Sequence, residues 1–80
     1  MTPLKQKWTA IKALNPETIV LVRIGKFYEV FGDDADTLHE VFQAPVMEGR
    51  HSGFPASCLG KFLEGLHRAG HRSIRLISGR

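Results

Sequence analysis

The stretch Thr18-Ile19-Val20-Leu21-Val22-Arg23-Ile24-Gly25-Lys26-Phe27-Tyr28-Glu29-Val30-Phe31 decides the architecture. Residues 18–24 form a nearly continuous apolar, β-branched run, the pattern of a strand buried on both faces. Gly25-Lys26 then supplies a tight turn with glycine at its first central position. Residues 26–31 resume as a second strand. Side chains alternate across a strand, so Phe27 and Glu29 project from the same face. At ~3.3 Å of rise per residue their Cβ atoms lie about 7 Å apart. A ring and a carboxylate so placed can act on one object. The ring can stack on a nucleobase or wedge between base steps, and the carboxylate can accept a hydrogen bond from a base edge. The same pattern also accommodates Phe27 and Phe31 as core residues and Glu29 as a solvated strand charge, since an aromatic in a strand commonly packs.

Outward from this hairpin, helices are expected on both sides. Thr2 can cap a first helix and Pro3 suits its first turn. Leu4, Trp8, Ile11 and Leu14 follow at helical spacing as one apolar face, and Asn15-Pro16 ends the helix. After the second strand, Gly32-Asp33-Asp34 breaks the extended run and offers an N-cap. The spacing predicts a second helix from about Ala35 to Phe42, with Leu38, Val41 and Phe42 inward. Residues 44–47 read as a short edge strand and residues 48–53 as a loop with Arg50 and His51 at its centre. Ser57 can cap a third helix, in which Leu59, Phe62, Leu63 and Leu66 occupy i, i+3, i+4 and i+7 positions. Gly70 is placed to end it. Residues 72–78 form a last strand with Ile74 and Leu76 on one face. The predicted order, α-β-β-α-(β)-α-β, is an α/β (α+β) layer fold with a small mixed sheet and about three helices.

Bulk properties fit this picture. The chain has 80 residues, room for one small domain over residues 1–80. Hydrophobic content of 42% and charged content of 24% are ordinary for a globular domain and argue against disorder. The formal charge of +3 is unevenly spread: residues 1–40 carry a net −1 and residues 41–80 a net +4. This asymmetry suits an anionic partner for the second half. A lone cysteine, Cys58, forms no internal disulfide and fits a reducing compartment. No apolar run approaches the ~20 residues that span a bilayer, and the opening residues lack a secretion signal. A cytoplasmic location is expected.

The remaining chemistry is sparse. His67 and His71 stand four apart, but no cysteine or carboxylate set accompanies them, so neither a structural metal nor any other cofactor is expected. Cys58 near a helix start fits packing better than reactivity. Asp33, Asp34 and Asp36 suit helix-start charges. Arg50, His51, Arg68, Arg72 and Arg75 are candidate phosphate contacts, each of which fits a solvated surface charge equally well. No catalytic set is legible, and no enzyme activity is expected.

Gly25-Lys26-Phe27-Tyr28-Glu29-Val30-Phe31 resembles the Gly-Asp-Phe-Tyr-Glu-Leu-Phe motif of the N-terminal mismatch-recognition domain of the MutS DNA mismatch repair family. The likeness extends through residues 2–17 to that domain's opening helix and through Asp33-Asp34-Ala35 to its next helix. Ser52-Gly53-Phe54-Pro55 is similar to its Ala-Gly-Ile-Pro, followed by a matching helix and strand. It covers almost the whole chain in order and implies that domain's fold. It also implies that Phe27 stacks on a mispaired or unpaired base from the minor-groove side while Glu29 hydrogen-bonds that base. From the residues themselves, Lys26, Arg50, His51 and Arg72 are expected as further nucleic-acid contacts. Three departures stand out. Lys26 occupies the usual aspartate position, residues 45–52 are shorter than their counterpart, and Ala56 replaces a frequent tyrosine. The 80 residues contain no Gly-x-x-x-x-Gly-Lys-Ser/Thr phosphate loop and stop where the family's connector, lever, clamp and ATPase domains follow. The expectation is therefore a binding module for mismatched or distorted DNA. A general DNA- or RNA-binding module without mismatch preference and a protein-interaction module working with or against other repair proteins are the alternatives.

Overall fold

The computed structural model describes residues 3–79. Three α-helices surround a four-stranded mixed sheet, a compact α+β fold as the sequence predicts. The elements are α1 (Pro3–Leu14), β1 (Ile19–Ile24), β2 (Phe27–Phe31), α2 (Gly32–Phe42), β3 (His51–Pro55), a short 3-10 turn (Ala56–Cys58), α3 (Leu59–Arg68) and β4 (Ile74–Ser78). The sheet order is β3-β2-β1-β4. β1 pairs antiparallel with β2 and parallel with β4, and β2 pairs antiparallel with β3.

The apolar run of β1 is explained by its place inside the sheet. Ile19 and Leu21 join Tyr28, Val30, Leu38, Phe54 and Leu66 in a core beneath α2 and α3. Val20 and Val22 face the other way, against Trp8, Phe31 and the α1 residues Leu4 and Ile11. The Gly25-Lys26 turn forms as expected: Ile24 faces Phe27 across it, and Gly25 adopts φ +57°, a left-handed conformation that glycine takes without a Cβ clash.

The layers are joined at Asp34. Its carboxylate is buried, with 1% exposure. Oδ2 accepts hydrogen bonds from Trp8 Nε1 at 3.2 Å and from the Val20 backbone N–H at 3.0 Å, while Oδ1 accepts from Lys12 Nζ at 2.7 Å. The recorded pairing of β1 with β2 runs from Val22 to Ile24. The Val20 N–H, beyond that ladder, is satisfied by a side chain instead. Asp34 is thus an internal tie rather than only a helix-start charge, whereas Asp33 and Asp36 remain exposed on α2.

Several local expectations are corrected. The edge strand at residues 44–47 does not form; only Met47 makes an isolated bridge, to His51. The edge strand is instead His51–Pro55, within what reads as a loop over residues 48–53. Gly53 looks like a breaker locally, yet it is what allows the pairing. A Cβ there would lie 2.5 Å from the Tyr28 carbonyl oxygen, so only glycine lets β3 approach β2 this closely. Helix α2 begins at Gly32, with Phe31 in the cap position and no side-chain cap from the aspartates. Ser57 lies inside the 3-10 turn, and Cys58 occupies the cap position of α3 without a side-chain bond. Leu14, placed on the apolar face by spacing, is the last residue of α1 and is 83% exposed. Ile74 packs on the core but Leu76 on the edge strand β4 stays exposed. The proposed cap at Thr2 lies outside the described residues.

Replacing Asp34 with alanine orphans two buried N–H groups and an ammonium, and should cost about 3–5 kcal/mol. Gly53→Ala should cost about 1–3 kcal/mol through overpacking against backbone. Urea unfolding of both variants measures these losses; a change below ~0.5 kcal/mol for Asp34→Ala would show that the tie contributes nothing.

Candidate functional site

β2 alternates its side chains between two environments. Tyr28 and Val30 enter the core beneath α2 and α3. Phe27, Glu29 and Phe31 face the α1 side, where cover is incomplete: Phe31 packs edge-on to Trp8 with centroids 6.0 Å apart, while Phe27 is 54% exposed. Glu29, between them, is partly buried, its side chain 26% exposed. The packing reading of Phe31 therefore holds, and that of Phe27 does not.

The neighbouring strands shape what lies around the pair. Phe27 sits between Ile24 of β1 and Pro55 of β3, and Glu29 between Val22 and Gly53. Gly53 has no side chain, so the surface beside Glu29 is low. A cleft of about 290 Å³ results, lined by Ile24, Phe27, Glu29, Met47, Gly53 and Pro55 among others. This is the lower end of the range for small-molecule sites. A second cleft, of about 540 Å³, lies towards α1 between Leu4, Phe31, Gly49 and His51. Glu29 lines both.

The strand pair carrying Phe27 and Glu29 is held rigidly from behind. Tyr28 and Phe54, opposite each other in the register, contact with centroids 5.6 Å apart. Phe62 of α3 stacks on Phe54 at 4.0 Å, and Phe42 of α2 packs on Phe62 at 4.2 Å. Such aromatic contacts are each worth roughly 0.5–1.5 kcal/mol beyond area burial. The site face is therefore a fixed platform and not a mobile loop.

The other residues singled out in the sequence divide into near and far. Lys26 is exposed in the β1–β2 turn beside Phe27, and its carbonyl accepts the Ala56 N–H at 2.7 Å, tying the turn to the start of the 3-10 segment. Arg23, which sequence reading overlooked, joins Lys26 and Phe27 around a further cleft at this end of the sheet. A cation at the C-terminal end of a strand that leads into the turn before Phe27 is the signal that could have found it. His51 lies beside Glu29, its Nε2 3.4 Å from Oε1. Arg50 turns away from the pair, towards α2. It contacts Asp36 at 2.6 Å and Asp33 at 3.5 Å. The hydrogen bond and charge of Asp36, then those of Asp33, raise its guanidinium above the ordinary arginine value.

Arg72 is remote. It precedes Ile74, which pairs with Ile19 at the start of β1, whereas Phe27 pairs with Ile24 at the end of β1. At ~3.3 Å per residue these positions are about 16 Å apart along the strand. Arg72 shares its surroundings with His67, and Arg68 pairs with Glu64 at 2.7 Å on the exposed face of α3. Arg72 thus lies away from the Phe27 end of the sheet, and Arg68 is engaged on α3. Cys58 is a free, half-buried thiol packed against the core. Among the described residues no group of three or more His, Cys, Asp or Glu side chains is arranged to hold a metal, and no helix is long and apolar enough to cross a membrane.

These features define a class: an α+β domain that presents an aromatic–carboxylate pair on one face of a rigid mixed sheet. The chain belongs to the MutS domain I family, whose model matches residues 2–77. It is 38% identical over 79 residues to a protein named DNA mismatch repair protein MutS from Parabacteroides distasonis, a match covering 89% of this chain and 9% of that protein. It is 32% identical over 77 residues to the human DNA mismatch repair protein Msh6, covering 94% of this chain and 6% of that protein. The MutS protein of Christiangramia forsetii is 35% identical over 80 residues. The chain spans less than a tenth of the length of these relatives.

Exposure separates the site from the core. Phe27→Ala should change unfolding free energy by less than about 0.5 kcal/mol, as surface changes do, whereas Phe54→Ala should cost about 3–5 kcal/mol. Thermal or urea denaturation of the two variants checks the contrast; equal losses would place Phe27 in the core.

Proposed function

We propose that this chain binds DNA at a mispaired or unpaired base, with Phe27 stacking on the base and Glu29 accepting a hydrogen bond from it. The observation that carries the reading is the pair's geometry: a large exposed ring and a partly buried carboxylate on one face of a rigid strand, beside a surface kept low by Gly53. Membership of the MutS domain I family and the mismatch-repair names of the relatives support it.

The energetics favour a defect over sound duplex. Unstacking intact base steps costs a few kcal/mol. Stacking on an aromatic returns ~1–3 kcal/mol per base. The two nearly cancel where pairing is intact, and the balance turns favourable where it is already broken. A carboxylate selects in the same direction. Near phosphates it is repelled, so it helps only where a displaced base offers an unpaired donor. Lys26 and Arg23, at the Phe27 end of the sheet, supply positive charge where the strand backbone would pass. Arg50 serves as a phosphate contact only by leaving Asp33 and Asp36, while Arg72 would reach backbone at a distance from the defect. Actions of the longer relatives that need further domains are no part of this reading.

Binding to matched, G·T-mismatched and single-base-bulged duplexes at low and moderate salt tests it. The wild-type chain should prefer the defective duplexes, and Phe27→Ala should lose at least about tenfold of that preference. Glu29→Ala should reduce it less. Lys26→Ala should weaken binding to all duplexes alike and lower the salt slope by about one. Equal binding to every duplex, unaffected by Phe27→Ala, would instead indicate a general nucleic-acid module. No binding even at low salt would indicate a protein-interaction module.

A further inference from the structure

His51 has a stricter relation to Glu29 than proximity. Its ring stacks on Phe31, with centroids 5.8 Å apart and planes inclined by 29°. Phe31 is itself buried against Trp8. The imidazole is thereby held against the sheet face, and both of its nitrogens meet oxygens. Nδ1 is 3.3 Å from the Glu48 carbonyl oxygen, and Nε2 is 3.4 Å from Glu29 Oε1.

A neutral imidazole has one N–H and one lone pair. The Glu48 carbonyl and the Glu29 carboxylate both only accept, and the carboxylate, being charged, is the stronger acceptor. A neutral ring can donate to one of them, and a ring protonated on both nitrogens donates to both. Other charged groups nearby have contacts of their own. Lys5 of α1 donates to the Gly49 carbonyl at 3.2 Å. Arg50 of the preceding turn is engaged by Asp36 and Asp33 of α2. Glu48 contributes its carbonyl to His51 and lines the same cleft.

We propose that His51 is the positioning residue for Glu29, holding Oε1 from Nε2 so that Oε2 is left to meet the base. The inference rests on the reading of Phe27 and Glu29 above. Loss of the imidazole frees the carboxylate's orientation, and defect recognition then weakens through Glu29.

Two measurements test this. The first needs no DNA. The side-chain carboxyl carbon resonance of Glu29 should move in His51→Ala; an unchanged resonance overturns the proposal. The second is the ratio of bulged- to matched-duplex affinity. His51→Ala, shown folded by thermal denaturation, should lower that ratio about 3- to 5-fold, as expected for a partly exposed contact, and should have no effect in a Glu29→Gln background. An equal fall in both backgrounds overturns the proposal. If Phe27→Ala keeps the wild-type preference, the reading of Phe27 fails, while the carboxyl resonance still decides whether His51 governs Glu29.

Discussion

The carboxylate of Asp34 lies where α1, β1 and α2 meet. It receives an indole N–H, a backbone N–H and an ammonium, and so satisfies three donors from two other elements. A buried charge of this kind is tolerated only when its partners and geometry are complete. Its consequence is positional. α1 is drawn onto the Val20, Val22 and Phe31 part of the sheet through Trp8, and the Phe27 end is left uncovered. The same contact that closes one half of this face therefore leaves the other half open.

The open half is made usable by what lies behind it. The Tyr28–Phe54–Phe62–Phe42 series fastens β2 and β3 to α2 and α3. A ring that must displace or stack on a base gains nothing from a support that yields, because ordering the support then costs part of the stacking energy. Gly53 adds a complementary feature. Its missing side chain lets β3 approach the Tyr28 carbonyl and keeps the surface beside Glu29 low. His51 closes the far side of Glu29 while resting on Phe31, so the carboxylate is flanked by the packed half of the face on one side and the open half on the other.

Much of this was legible from residue order. The apolar run of β1, the Gly25 turn, the alternation of β2 and the i, i+3, i+4, i+7 pattern of α3 each reflect local geometry, and each element stands within a residue or two of its expected place. β3 was not legible, because Gly53 and Pro55 read locally as breakers and only the closeness of β2 explains them. Leu14 and Leu76 match helical and strand periodicity, yet both stay exposed. Asp34 is indistinguishable from Asp33 and Asp36 in the sequence, and burial alone separates the three.

The sequence by itself determined that two strands join through a glycine turn, that Phe27 and Glu29 share a face, and that the chain resembles MutS domain I, because turn chemistry, side-chain alternation and motif order are properties of neighbouring residues. The tertiary structure decided which half of that face α1 covers, that Arg50 is engaged by α2, that Arg72 lies at the opposite end of the sheet, and that His51 stands against Glu29. These outcomes depend on packing between residues distant in the chain, and their energies arise only when those surfaces meet and exclude water.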